Sequence, residues 1–204
     1  MMKSGQMTKG EQTRRKIVEA AAPIFNERGY DGASMADLMA ATGLKKGGIY
    51  RHFSSKEELA AAAFDYTWKA AQNVRLLHVD ETASASDQLK QLIANFVKFR
   101  GPVSGGCPIM NTAVDADDGN ARLRTRVRKA LRNWVARIEK IVAKGTERAE
   151  IRAEADPKAV ATLIVATLEG ALMISRLERN DHSLLCVQRQ LDRYIDTELT
   201  TQRP

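Results

Sequence analysis

Residues 34–53 read SMADLMAATGLKKGGIYRHF, and the architecture of the chain follows from how this stretch is understood. Ser34 is an N-cap residue type, and Asp37 stands three positions later, where a capping box ordinarily carries Glu or Gln. Gly43 closes the short helix that follows, and a second helix runs from about Lys45 to His52. Two short helices joined at a glycine form a helix-turn-helix pattern. Leu38, Met39, Leu44 and Ile49 can lock the pair at a steep angle, leaving the second helix free to enter a DNA major groove about 12 Å wide. Lys45, Lys46, Arg51 and Lys56 supply long cationic donors, and Gly47 and Gly48 remove side chains that would hold a backbone away from DNA. Glycines weaken so short a helix, and close access to a nucleic acid is a return for that weakness. The competing reading is a small three-helix core with a basic rim.

Outward from this stretch, apolar residues recur at spacings of three and four rather than at two, which predicts an all-α protein. A first helix is expected from about Glu11 to Arg28, ending at Gly29, with a kink at Pro23 because an interior proline loses an amide bond and clashes with the preceding turn. Ser55 is the expected cap of a long fourth helix reaching Leu77. Further helices are predicted over 85–100, 107–114, 120–148, 157–180 and 183–199, with Asp115–Gly119 as a connecting loop. The domain reading is a flexible N-terminus over 1–10, a helix-turn-helix domain over 11–54, and a larger helical effector-binding and dimerisation domain over 55–204.

The 204 residues are 44% hydrophobic and 28% charged, ordinary values for a globular chain, and the formal net charge is +7. That charge is concentrated. Residues 1–56 hold ten Lys and Arg against five acids, and residues 122–148 hold ten against two. Either block faces a polyanion or forms a solvated helix face. The first ten residues have no apolar run of signal-peptide length, and the longest apolar stretches, such as 159–168, fall short of a membrane span, so a cytoplasmic protein is expected. Cys107 and Cys186 lack zinc spacing and disulfide density. No metal and no cofactor are expected. His52, His78 and His182 show no metal-ligand spacing, and no nucleophile motif or phosphate loop is present, so no catalytic residues are assigned and the chain is not read as an enzyme.

The run TRRKIVEAAAPIFNERGYDGASMADLMAATGLKKGGIYRHFSSKEELAAAAF, over roughly residues 13–64, resembles the DNA-binding domain of the tetracycline-repressor (TetR) family of bacterial regulators. The family pattern GxYxHFxxKxxL is present as Gly48, Tyr50, His52, Phe53, Lys56 and Leu59. The resemblance implies a homodimer on a two-fold symmetric operator and a ligand in the larger C-terminal domain. It also implies that Lys46, Gly47 and Gly48, with Lys45 beside them, form the base-facing surface. Tyr50, His52 and Lys56 fall at phosphate-contact positions, Ser34 and Thr42 are further candidate phosphate partners, and Arg51 reads either base or backbone. His52 is read either as a phosphate contact or as a structural hydrogen-bonding residue. Phe53, Leu59 and Tyr30 are read as core.

By the same resemblance, the helices over 157–180 and 183–199 form the dimer bundle, with Ala161, Val165, Leu168, Leu172 and Leu191 as its seam and Gly170 permitting close approach; generic core packing explains the same pattern. An effector cavity would be lined by Phe64, Trp68, Phe96, Phe99, Met110, Asn111, Val114, Trp134, Ile138 and Leu168, bulky apolar residues with one amide, suited to a small and largely apolar compound. The stretch GGCPIMNTAVD, residues 105–115, is the most distinctive sequence outside the helix-turn-helix. Its Cys107, just before a helix start, is either an electrophile or oxidant sensor or a small packed side chain. The basic helix from Arg122 to Arg148 is read as a solvated face, with an anionic effector or a second DNA surface as the alternative. Two functions remain. One is a ligand-responsive repressor released from a palindromic operator by a small molecule. The other is an architectural, weakly specific DNA binder without an effector.

Overall fold

The computed structural model describes residues 7–99, 101–116 and 119–201. Its helices are α1 (Lys9–Gly32), α2 (Met35–Thr42), α3 (Lys46–Tyr50), α4 (Lys56–Arg75), α5 (Ala85–Lys98), α6 (Pro108–Ala116), α7 (Ala121–Glu147), α8 (Pro157–Glu178) and α9 (His182–Tyr194), the last continued by one π-helical turn, Ile195–Leu199. No strand occurs among the described residues, and Ile151 and Thr200 form an isolated antiparallel bridge. The all-α expectation holds. Of the expected flexible stretch, residues 1–6 lie outside the described residues, as does Arg100 at the expected end of the fifth helix. Thr8 caps α1 in a capping box with Glu11, so Lys9 and Gly10 are already helical.

Two compact units emerge. The first takes the chain up to Ala70 together with Pro102–Val127, and the second takes Ala71–Gly101 together with Arg128 onward. This division crosses the expected boundary at residue 54, because α6 packs against α1 and carries its segment into the first unit. The first unit's core gathers Ile17, Ala21, Phe25, Leu38, Ile49, Phe53 and Leu59, with Tyr30, Met39 and Leu44 partly buried against it.

α1 continues through Pro23, and its one residue with non-helical φ and ψ is Gly29, at φ 73° and ψ −178°. Gly29 ends the regular helix, as expected, and joins it across a kink to the short stretch that reaches Gly32, at a positive φ that glycine adopts without the Cβ clash of other residues. The break separates the amide of Tyr30 from the carbonyl of Asn26, which are partners in an unbroken helix. Both find new partners on α6. Tyr30 N donates to Asp115 Oδ2 at 2.5 Å, and Asn111 Nδ2 donates to Asn26 O at 2.8 Å. A Cβ on Gly29 would lie 2.8 Å from Asp115 Oδ1, and one on Gly105 would lie 2.7 Å from Asn26 O. Asn26 Nδ2 in turn donates to Ser104 O at 2.6 Å, and Asn111 Nδ2 also donates to Gly105 O at 2.7 Å. Residues 104–115 thus clasp α1 near its C-terminal end.

In the second unit α5, α8 and α9 pack on one another. Ala161, Val165, Leu168, Leu172 and Leu191, expected as a dimer seam, are buried within the protomer. The residues left outside on α8 are Leu163, Met173, Ile174 and Leu177, the last 76% exposed. With Gly170, where nothing approaches within 4 Å of an added Cβ, they recur at three and four and form one apolar stripe. The expectation that no segment approaches a membrane span is corrected at α8, which is long and apolar enough by length and composition; Val160, Ile164, Val165 and Leu168 on its inner side are core residues of this unit. Asn95 Nδ2 donates to the carbonyls of Arg75 and Leu77 at 3.0 and 2.7 Å, satisfying the C-terminal end of α4. The Arg75 guanidinium lies over Phe96 and Trp134, 4.6 and 4.4 Å from the ring centroids, and 3.9 Å from Glu169.

Gly145 on α7 marks a close approach. A Cβ there would stand 2.6 Å from Ala85 Cβ and 2.7 Å from Ile151 Cδ1. Gly145→Ala gains about 0.8–1.0 kcal/mol of helix propensity and incurs overpacking of about 1–3 kcal/mol. We expect a net loss of up to about 2 kcal/mol in urea unfolding, visible as a lower midpoint at unchanged slope.

Candidate nucleic-acid interface

The helix-turn-helix is built from local rules. Ser34 Oγ accepts from Asp37 N at 3.1 Å, and Asp37 Oδ2 accepts from Ser34 N at 3.1 Å and from Ser34 Oγ at 2.6 Å, so the capping box closes with Asp in the third position. Arg28 reaches Asp37 Oδ1 at 2.8 Å. These bonds to the ionised form hold the Asp37 carboxyl below its usual range, the Ser34 hydroxyl contributing most and Arg28 less. Gly43 ends α2 in the left-handed conformation at φ 67°. Leu38 and Ile49 are fully buried between α2, α3 and their neighbours.

α3 is one turn long, and its outer surface is what the sequence predicts. Lys45, Lys46, Gly47 and Arg51 are exposed, and Gly48 is half-buried. A Cβ on Gly47 would meet nothing within 4 Å, whereas one on Gly48 would touch Leu44 at 3.4 Å. The protein itself therefore has no need of glycine at position 47. Tyr50 is 37% exposed and donates to Met35 Sδ at 3.6 Å, and Lys46 Nζ lies 5.9 Å from its ring centroid. His52 is half-buried beside them.

Lys56 opens α4 with its Nζ 4.5 Å from the Tyr30 ring centroid, and burial pushes the Tyr30 phenol up. The two hydroxyl candidates are already engaged: Ser34 in its box, and Thr42 Oγ1 donating to Leu38 O at 2.7 Å. Either would have to exchange that bond to donate to a phosphate.

The residues expected to line an effector cavity are divided. Phe64, Trp68, Met110, Asn111 and Val114 belong to the first unit, as does the candidate effector sensor Cys107, and Phe96, Phe99, Trp134, Ile138 and Leu168 belong to the second. Phe64 and Trp68 are buried, and Met110 is half-buried. Asn111 uses its amide on α1, as described above. Val114 is 75% exposed, because α6 directs Asn111 and Asp115 toward α1 and leaves Val114 outside. Cys107 is 2% exposed, which supports the packing reading of this residue. In the second unit Phe96 and Trp134 stack at 5.8 Å with planes 13° apart, Ile138 and Leu168 are buried, and Phe99 is half-buried. Among the described residues no group of His, Cys, Asp and Glu is placed to hold a metal ion.

The sequence reading missed the clasp of Asn26, Asn111 and Asp115 on α1, whose signals were the glycines at 29 and 105. It also missed Arg14. That guanidinium lies 4.3 Å from the Phe53 ring centroid and 3.2 Å from Glu58, tying α1 to the start of α4.

Comparison with known proteins agrees with this geometry. Residues 17–63 match the family model for bacterial regulatory proteins of the tetR family, and residues 85–191 match the tetracyclin repressor-like C-terminal domain. A TetR transcriptional regulator from Chloroflexus aurantiacus J-10-FL has a similar structure, with a TM-score of 0.90, 42% identity, and coverage of 95% of this chain and 99% of that one. A TetR-family regulator from Cytophaga hutchinsonii gives 0.90 at 32% identity, covering 98% and 100%. The HTH-type transcriptional repressor DhaR of Mycobacterium sp. (strain GP1) is 29% identical over 172 residues, 84% of this chain and 86% of that protein.

Glu58 supplies a test of how the interface is held. Its carboxylate accepts from Ser54 N and Ser54 Oγ, both at 2.7 Å, and from Arg14, and these bonds bring its pKa from 4.5 down to about 2. A depressed carboxylate pKa stabilises the fold fully above the unfolded value and loses that effect as pH falls through the folded one. The urea midpoint of the wild type should therefore exceed that of Glu58→Gln by a constant margin from neutral pH to about 5, and the margin should vanish toward pH 2.

Proposed function

Because the chain belongs to the tetracycline-repressor family of DNA-binding transcriptional regulators, which are not enzymes, we propose that it is a homodimeric cytoplasmic repressor. In this reading it holds a palindromic operator through α2 and α3 and leaves it when a small molecule binds. The observation that carries the reading is the outer surface of α3. Lys45, Lys46 and Arg51 stand exposed around a glycine at 47 that no packing contact requires. A duplex backbone or base edge is the partner that needs such clearance.

Lys45 and Lys46 are assigned to base edges, and Arg51 to a base or the backbone. Tyr50, His52 and Lys56 are assigned to phosphates, with Ser34 and Thr42 as exchangeable donors. Lys56, held over the Tyr30 ring, is a fixed point charge, suited to setting position and salt dependence rather than sequence.

The dimer is assigned to the α8 stripe of Leu163, Gly170, Met173, Ile174 and Leu177, with Leu185 on α9, also exposed. A contiguous apolar stripe of this kind is burdensome in water and suits a second copy packed about a two-fold axis. A symmetric dimer presents two α3 helices to half-sites one helical turn apart. The effector is assigned to the helical second unit, where Phe96, Trp134, Ile138 and Leu168 offer an apolar lining beside the Arg75–Glu169 pair. That composition suits a small compound with an apolar body. Release follows if the ligand prefers a state in which the two α3 helices no longer match both half-sites. Steep discrimination between operator and random DNA separates this reading from a weakly specific architectural binder.

Selection of bound sequences from a random duplex library, with titration at about 150 mM salt, tests the proposal. A palindromic consensus bound at least about a thousandfold more tightly than scrambled DNA is expected; sequence-blind binding would refute it. On that operator Lys46→Ala should weaken the specific complex more than the random one, whereas Lys56→Ala should weaken both alike and reduce the salt slope by about one.

A further inference from the structure

The C-terminal half of α7 carries four cations that the operator reading does not use. Arg137, Lys140, Lys144 and Arg148 recur at three and four, so they share one face of the helix, and together they line an open cavity of about 130 Å³ in the second unit. The wall opposite them comes from the start of α5 and the segment before it. Val79, Ala85 and Ile141 give the cavity an apolar floor. Gly145 makes the approach to α5 possible, as its contact with Ala85 requires.

Among the described residues the charges lining the cavity are mostly unpaired, unlike those at the start of α7. Near its N-terminus Arg122 pairs with Glu57 at 3.8 Å and Arg126 pairs with Asp65. The cavity includes one acid, Glu81, and Arg137 already engages it at 3.3 Å. Glu150, close by, accepts from the Ala85 amide at 2.7 Å, which commits it to the start of α5. Among the described residues Lys140, Lys144 and Arg148 form no ion pair. Like charges on successive turns repel, and here they stand exposed around the mouth of one cavity.

We infer that this cavity is a binding site for a small multivalent anion of the diphosphate type, separate from the operator surface and from the effector lining proposed above. Lysine ammonium groups and arginine forks are the donors suited to phosphate oxygens. Residues 137 to 148 span roughly 16 Å of helix axis at about 1.5 Å per residue, so one phosphate cannot touch both ends, whereas linked phosphates can bridge neighbouring turns. The volume is well below the roughly 300–1,000 Å³ of pockets that enclose drug-sized ligands. It therefore fits a diphosphate group, with anything attached to that group extending outward through the open side.

Calorimetric titration of the full chain with inorganic pyrophosphate at fixed ionic strength tests this, with sodium sulfate as the control for general screening. Saturable binding at one site per chain is expected. It should weaken at least tenfold in the Lys140→Gln/Lys144→Gln double variant, whose melting temperature without ligand and operator affinity should match the wild type. Glu81→Gln, which frees Arg137, should bind pyrophosphate more tightly. Absence of saturable binding, equal binding by the double variant, or unchanged binding by Glu81→Gln would each overturn the assignment. So would a double variant that loses only affinity for random duplex DNA, since the face would then belong to nucleic acid.

Discussion

In an unbroken α1 the amide of Tyr30 would donate to the carbonyl of Asn26. Gly29, turned to positive φ between them, takes both groups out of the helix. Burying either without a partner costs about 1–3 kcal/mol, so the break persists only because Asp115 and Asn111, one turn apart on α6, receive them. This exchange joins segments about 85 residues apart. It explains why α6 belongs with the N-terminal helices, and why Gly105 has no room for a side chain next to Asn26. The distinctive stretch at 105–115 is a structural clasp built around two polar side chains, with its cysteine packed inside.

The surface of α3 depends on what that clasp holds. A five-residue helix with two glycines has little stability of its own. It is positioned by Leu38 and Ile49 packing under it, by the Ser34–Asp37 box, and by α1, which packs on α2. Arg14 and Glu58 add a second tie between α1 and the start of α4. The cations at 45, 46 and 51 are therefore mounted on a frame whose long element is fixed near its end and near its start. A weak helix on a rigid frame leaves its outward side free for recognition.

Where a feature follows from neighbours in sequence, the sequence was enough to read it. The cap at Ser34, the left-handed Gly43, the burial of Leu38, Ile49, Phe53 and Leu59, and the exposure of Lys45, Lys46 and Gly47 all belong to this class. The end of the regular helix at Gly29 is legible in the sequence, but its partners Asn111 and Asp115 are not, because no local pattern connects them to it. α1 runs on through Pro23, whose φ and ψ stay helical. On α8 periodicity marks an apolar helix but cannot say which side faces the protomer, so Ala161 and Leu168 read equally as dimer seam or core, and the exposed Leu163 and Leu177 carry no signal of their own. The cations of α7 were visible as a basic face, but the cavity they line requires the start of α5, which only the fold brings to them.

Amide hydrogen exchange at Tyr30, measured with operator affinity in the wild type and in Asp115→Ala, tests the clasp most directly. Losing the charged acceptor should remove about 1.5–3 kcal/mol, so the Tyr30 amide should exchange roughly ten- to a hundredfold faster, with weaker operator binding although no residue of α3 has changed. Unaltered protection at Tyr30 together with wild-type operator affinity would contradict the account, because α1 would then be held without α6.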